Sequence, residues 1–230
     1  MAKSFEPNDV EMLKKKYGLY KPGEKTAVIS GLLSCSCQPR VTNRSAVPLP
    51  IYPGDSIGPL KLGMDRSEME AQLGQLCQQV GMAETLSIGC KETSAHSSGY
   101  LLRYFMGGSM FLVDYNEQHR AISISVHRDT SSIAEVTLFG QPVFSMEAID
   151  LMSFLQEKDD CVFDTDDALF CSQFTCPRLG LRLWRDFGPS PEQVADPNWK
   201  EKLDEDESFL LTFPLVTVFN PEYGSQLYYL

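Results

Sequence analysis

The chain has 230 residues, 43% hydrophobic and 10% aromatic, enough to bury a sizeable core and too apolar for wholesale disorder. Its net charge of −11 and pI near 4.7 oppose phosphate backbones and anionic lipid. Nucleic-acid binding is therefore set aside, because the one basic cluster, Lys14-Lys15-Lys16, points three ways on a helix. No apolar run reaches the roughly eighteen residues a membrane span needs.

The first element in the chain is "PNDVEMLKKKYG", which predicts a short amphipathic helix. Asn8 caps it with Glu11 placed to reach back, Val10, Leu13 and Tyr17 form its apolar stripe, and Gly18 stops it. From Lys21 to Pro53 the periodicity is weak, and "RVTNRSAVPLPIYPG" reads as an extended linker. Residues 1–50 are thus expected to be a helical appendage, followed by one α+β unit over 51–140 and a second over 141–230. Inside the appendage, Leu32-Leu33-Ser34-Cys35 has the form of a lipoprotein cleavage site. The apolar run before it is short, however, and Glu6, Asp9, Glu11 and Glu24 precede it, unlike a secretory signal. The seven cysteines contain no C-x-x-C pair and read as reduced, mostly buried thiols. A cytoplasmic protein follows, with membrane attachment only if Cys35 is lipidated.

"GPLKLGMDRSEMEAQLG", Gly58 to Gly74, poses a choice between a phosphate loop and a strand-to-helix corner. Leu60 and Leu62 alternate as in a short strand, Asp65 and Glu68 form a capping box, and Met69, Leu73, Leu76, Cys77 and Val80 recur at helical spacing. The Asp65 carboxylate would repel a phosphate, so the stretch reads as a corner. "GYLLRYFM" and "SMFLVDYN" flank Gly107-Gly108 as a hairpin, Asn116 to His119 turn the chain, and "RAISISVHR" alternates serines with branched aliphatics. That alternation predicts one buried face and one wet face. "EVTLFG" is expected to continue the antiparallel meander. A second helix, capped by Ser145 and lined by Ala148, Leu151, Met152 and Leu155, then leads to strands in "ALFCSQF", "LGLRLWRD" and "FLLTFPLVTVFN". Asp65 and Ser145 sit about eighty residues apart, a spacing that suits a duplicated unit. Phe111–Asp114 and Leu181–Trp184 would then match as second strands. Gly188 to Ser208 reads as a Pro-rich acidic loop inserted before the last strands.

"YPGDSIGPLKLGMDRSEMEAQLG", "MFLVDYNEQHRAISISV", "EVTLFGQPVFSM" and "LGLRLWRD" together resemble a family of uncharacterised bacterial proteins, over residues 52 to 186. The Leu62-Gly63-Met64 start is also similar to the repeats of small outer-membrane assembly lipoproteins and of the β-lactamase inhibitor protein. The resemblance implies a noncatalytic α+β scaffold that offers a sheet face or loops to another protein, in the manner of an immunity protein. It carries over no catalytic residue.

The residues themselves select no reaction. His119 and His127 fall in a turn and at a strand end, where both are expected to be solvated, and a Cys90–His96 pair has no third orienting group. Cys35 and Cys37 have no convincing second half for zinc. The run "EKDDCVFDTDD", with Asp159, Asp160, Asp164, Asp166 and Asp167, lacks calcium-loop spacing and reads as a solvated loop. No metal or cofactor is expected. The function predicted is a noncatalytic immunity or inhibitor protein that meets a basic protein through Asp204, Glu205, Asp206 and Glu207, with Trp199, Asp164, Asp166 and Asp167 beside them. The alternatives are a hydrolase or transferase with a cleft between the two units, and an exported lipoprotein with an assembly role.

Overall fold

The computed structural model describes residues 47–82, 86–93, 99–165, 168–186, 188–196, 198–203 and 208–222. All of them belong to the unit that spans 45–230. The helix predicted at 8–18, Cys35, Cys37, His96 and the acidic run 204–207 lie outside the described residues.

The stretch read as a linker contains a strand, β1 (Val47–Tyr52). Pro48 and Pro50 give it the look of a linker, but they occupy alternate positions, and Leu49 and Ile51, each following a proline, are buried. Two short strands follow, β2 (Ser56–Ile57) and β3 (Leu60–Lys61), and then Gly63 takes the left-handed φ of 82°. That turn feeds α1 (Arg66–Gln79). The capping box is present: Asp65 accepts from the Glu68 amide at 2.9 Å, and Glu68 accepts from the Asp65 amide at 2.8 Å. Arg120 braces it from outside, 3.3 Å from the Glu68 carboxylate. The stretch is a strand-to-helix corner, as its Asp-x-x-Glu spacing predicts.

Four strands then form a meander: β4 (Leu86–Thr93), β5 (Tyr100–Met106), β6 (Ser109–Tyr115) and β7 (Ala121–His127). β8 (Ala134–Leu138) leaves it. Instead of pairing antiparallel with β7, β8 runs parallel to β1, from Val47 opposite Ala134 to Ile51 opposite Leu138, and β9 (Gln141–Pro142) closes that smaller sheet. The second helix, α2, spans Ala148–Gln156. Its N-cap is Glu147, not Ser145, whose hydroxyl closes the preceding turn onto the Pro142 carbonyl. β10 (Val162–Phe163), β11 (Gln173–Cys176) and β12 (Leu181–Trp184) follow, then the one-turn helix α3 (Pro191–Val194) and finally β13 (Leu215–Phe219). Ala168–Phe170, read as strand, is a 3-10 turn, and Phe209–Leu211, also read as strand, belong to the 3-10 turn Ser208–Leu211.

Among the described residues the larger sheet has the order β10-β11-β12-β13-β7-β6-β5-β4. Each half thus runs helix then four strands, and the halves join antiparallel through their last strands, from Leu215 opposite His127 to Phe219 opposite Ser123. The proposed match of Phe111–Asp114 with Leu181–Trp184 is between third strands, not second ones. One hydrophobic cluster serves both halves: Met69 and Leu73 of α1, Leu151 and Leu155 of α2, and the inward rows of the sheet all enter it. Such burial, at about 25 cal/mol per Å² of apolar surface, is the main force holding the halves together.

Two further features of this core depart from a uniform apolar filling. Cys161 and Cys176 are joined in a disulfide, against the expectation of reduced thiols, whereas Cys77 and Cys171 are free and buried. The Tyr104 and Tyr115 hydroxyls meet at 3.0 Å inside the core. Burial pushes the Tyr104 phenol up to about 12. Burial, together with the hydrogen bond it makes with Tyr104, pushes Tyr115 higher still. An unfolded tyrosine ionises near pH 10 while these two keep their protons, so above that pH the unfolded chain binds fewer protons than the native one. Stability from the pair is therefore complete below about pH 10 and falls as pH rises toward 12. Urea titrations from pH 8 upward should show the midpoint dropping beyond about pH 10. A midpoint that stays flat there would contradict the buried pair.

Candidate functional site

The outward face of the larger sheet is not the wet face that the serine alternation predicts. Ser123 and Ser125 are each only 7% exposed, as is Thr217. They floor a groove of about 590 Å³. Register explains its shape. The central row runs Arg103, Leu112, Ser125, Thr217, Arg182 and Thr175 across β5, β6, β7, β13, β12 and β11. Short hydroxyl side chains occupy the two middle strands and long side chains the strands on either side. On a twisted sheet, that size pattern leaves a hollow over the junction of the two halves. The Ser125 and Thr217 hydroxyls bond each other at 2.8 Å and so lock the floor.

The two neighbouring rows supply the walls. On one side lie Leu101 and Asp114, in the row of the floor residue Ser123; on the other lie His127, Leu215, Trp184 and Gln173. The lining is mixed: Leu101, Leu112, Leu215 and Trp184 give apolar surface, and Asp114, His127, Gln173 and Arg182 put polar groups among them, a combination that can orient a small ligand. Arg182 is the most unusual of these groups. It is 8% exposed, and its Nε has no hydrogen-bond partner. Its guanidinium carbon lies 5.9 Å from the centre of the Phe219 ring. Burial lowers its proton affinity, while the Asp114 charge in the same groove acts in the opposite direction. The group remains a cation at neutral pH, since arginine does not deprotonate in proteins.

His127 is half-buried and turns to the end of the groove, where Nδ1 sits 2.9 Å from the Asp129 carboxylate. The Ser125 hydroxyl is engaged with Thr217, and no hydrogen bond among the described residues joins His127 to a hydroxyl. A relay of nucleophile, base and orienting acid needs that contact. Among the described residues, no group of three His, Cys, Asp or Glu is arranged to hold a metal.

The described residues nominated from sequence lie away from this groove. Asp166 and Asp167, like Asp204 to Glu207, lie outside the described residues. Asp164 is exposed, and its carboxylate accepts from the Ser172 amide at 3.0 Å and the Gln173 amide at 3.0 Å, so it closes the β10–β11 connection. Asp159, expected in a solvated loop, is 3% exposed. Burial alone would raise its pKa, but Arg178 at 2.6 Å and the Leu179 amide at 2.9 Å outweigh that and hold the carboxyl below its usual range. Trp199 is half-buried and lines a crevice with Ala148, Met152 and Leu210, while Lys200 next to it pairs with Glu147. It anchors the loop to α2. Trp184 stands on the groove wall. Sequence reasoning passed over Arg182 and Thr217, although Arg182 falls between two leucines in "LGLRLW", where strand alternation puts it opposite the core.

No described helix is long and apolar enough to cross a membrane. The chain matches no family model, no curated protein and no solved structure.

Proposed function

We propose that this protein is a noncatalytic binding module whose ligand seat is the groove on the outward face of the eight-stranded sheet. The observation that carries this reading is the buried hydroxyl floor: Ser123, Ser125 and Thr217 lie beneath about 590 Å³ of open space walled by Trp184, Leu215 and Leu112. A polar floor hidden from solvent and left unfilled by its own side chains is the arrangement of a site that orients a ligand. The reading keeps binding without chemistry as the class of function. It moves the seat from acidic loops facing a basic partner to the sheet, because the described member of the acidic set, Asp164, already serves its own backbone.

The two halves are read here as copies of one ancestral unit. The mirrored strand order and the helix caps about eighty residues apart support this. On that reading the groove lies on the seam between the copies, a common place for a site to arise.

Amide-shift mapping by NMR against a small fragment library tests the function. Shifts should gather on Ser125, Thr217, Arg182 and Trp184. Fragments that bind only elsewhere, or none that bind at all, would overturn the assignment.

A further inference from the structure

We infer that the groove recognises a small organic monocarboxylate, with the Arg182 guanidinium holding the carboxylate and the wall beside Trp184 and Leu215 holding an apolar body. The inference rests on the groove being the binding site, and it names the ligand class.

A guanidinium removed from water costs several kcal/mol unless an anion or a set of acceptors replaces its hydration. Arg185, three residues on, shows how this chain satisfies a buried arginine when the role is structural: its three nitrogens donate to the carbonyls of Cys171, Leu210 and Leu169. Arg182 is buried to a similar degree and has no such set; its Nε is unpartnered and it lines open space. In register, Arg182 lies between Thr217 and Thr175 on the neighbouring strands, and the Thr217 hydroxyl of the groove floor is the nearer polar group a bound anion would meet. A planar carboxylate matches that fork through two parallel N–H bonds.

Two observations narrow the anion. The charged lining is Arg103, Arg182 and Asp114, and Asp114, whose charge acts on Arg182, disfavours a second negative charge beside that guanidinium, so a monoanion fits there better than a phosphate dianion. The row next to Arg182 is Trp184 and Leu215, which would cover an aryl or alkyl body rather than a hydrated one. The net charge of the chain is −11, so an anion binds here against the field of the whole protein. Only a local, desolvated cation such as Arg182 can reverse that field.

The test uses the full chain with Trp199→Phe, which leaves Trp184 as the single fluorescent indole. A panel of aryl- and alkyl-monocarboxylates is titrated alongside the matching primary amides and inorganic phosphate. At least one acid should change Trp184 fluorescence saturably and bind at least about tenfold tighter than its amide. Phosphate should not compete. In Arg182→Met, checked for an unchanged circular dichroism spectrum, the preference of acid over amide should vanish. Acids and amides that bind equally in the parent would overturn the carboxylate assignment and leave the groove as a binding site. Competition by inorganic phosphate at similar concentration would overturn the monocarboxylate class. No binding by any of the compounds would overturn both readings. Should Arg182→Met unfold, Thr217→Val, which removes the flanking hydroxyl, gives the second measurement, with a selective loss of acid affinity expected.

Discussion

Replacing Arg185 with methionine is expected to destabilise the fold by about 3–5 kcal/mol, a large part of the stability of a domain this size. The side chain is 2% exposed and is tied down at every nitrogen. Nε donates to the Cys171 carbonyl at 2.8 Å, Nη1 to Leu210 at 2.7 Å and Nη2 to Leu169 at 2.7 Å, while the guanidinium stands 5.2 Å from the centre of the Phe213 ring. The arginine thereby bolts the approach to β11 and the turn before β13 to the end of β12. Methionine keeps most of the aliphatic volume but strands three carbonyls, and a hydrogen bond from a charged donor contributes about 1.5–3 kcal/mol. The three bonds share one side chain and will not add fully. Lysine, a single point of charge, can reach fewer of them and should fall between the two. Urea unfolding should show a lower midpoint at unchanged slope for both variants. A loss below about 1 kcal/mol in Arg185→Met would mean that water replaces the arginine and that the bolt is not structural.

Arg185 also marks the limit of what the sequence discloses. Nothing local in "LGLRLWRD" marks it as a buried tie between distant carbonyls. Local signals were legible wherever a short-range rule governs the outcome: the Asp65–Glu68 box, the Gly107-Gly108 hairpin between β5 and β6, and the apolar face of α2 all appear where spacing puts them. Long-range choices were not. Nothing within "EVTLFG" says that β8 abandons its neighbour β7 for a parallel partner more than eighty residues earlier, at β1. Ser145 satisfies the composition rule for a cap, yet the chain makes one more turn before α2 begins, and Glu147 takes the position without a side-chain bond.

The candidate site was missed for a related reason. Alternation along "AISISVH" establishes that two faces of β7 differ, and the step from polar to solvated does not follow. Whether Ser123 and Ser125 meet water depends on what stands on β12 and β13, and those strands enter from the other half of the chain. The floor of the groove exists only once Thr217 lies opposite Ser125, a pairing across 92 residues. Acidic runs, by contrast, are conspicuous in a one-dimensional reading. The structure assigns two of the conspicuous carboxylates, Asp159 and Asp164, to the chain's own arginine and amides.

Removing the Cys161–Cys176 disulfide by a double Cys161→Ser, Cys176→Ser change is expected to cost about 3 kcal/mol. The two cysteines are 15 residues apart in sequence, and closing a loop of that length restricts the unfolded chain by about that much. The native consequence is local. β10 is a two-residue edge strand held to β11 by Val162 opposite Thr175 and Phe163 opposite Phe174, and Val162 is itself exposed. So short an edge has little pairing of its own, and the bond joins the residue before β10 to the last residue of β11. Denaturation of the parent with and without reductant should therefore differ by the same amount as parent and double variant, and reductant should leave the double variant unchanged. Peptide mapping without reduction, on protein from its native cells, should find the segments around 161 and 176 linked. Two free thiols there, with no effect of reductant on the midpoint, would overturn the disulfide and favour a reducing compartment. A linked pair favours an oxidising compartment instead, because a bond between cysteines outside any catalytic motif persists where thiols are not continually reduced.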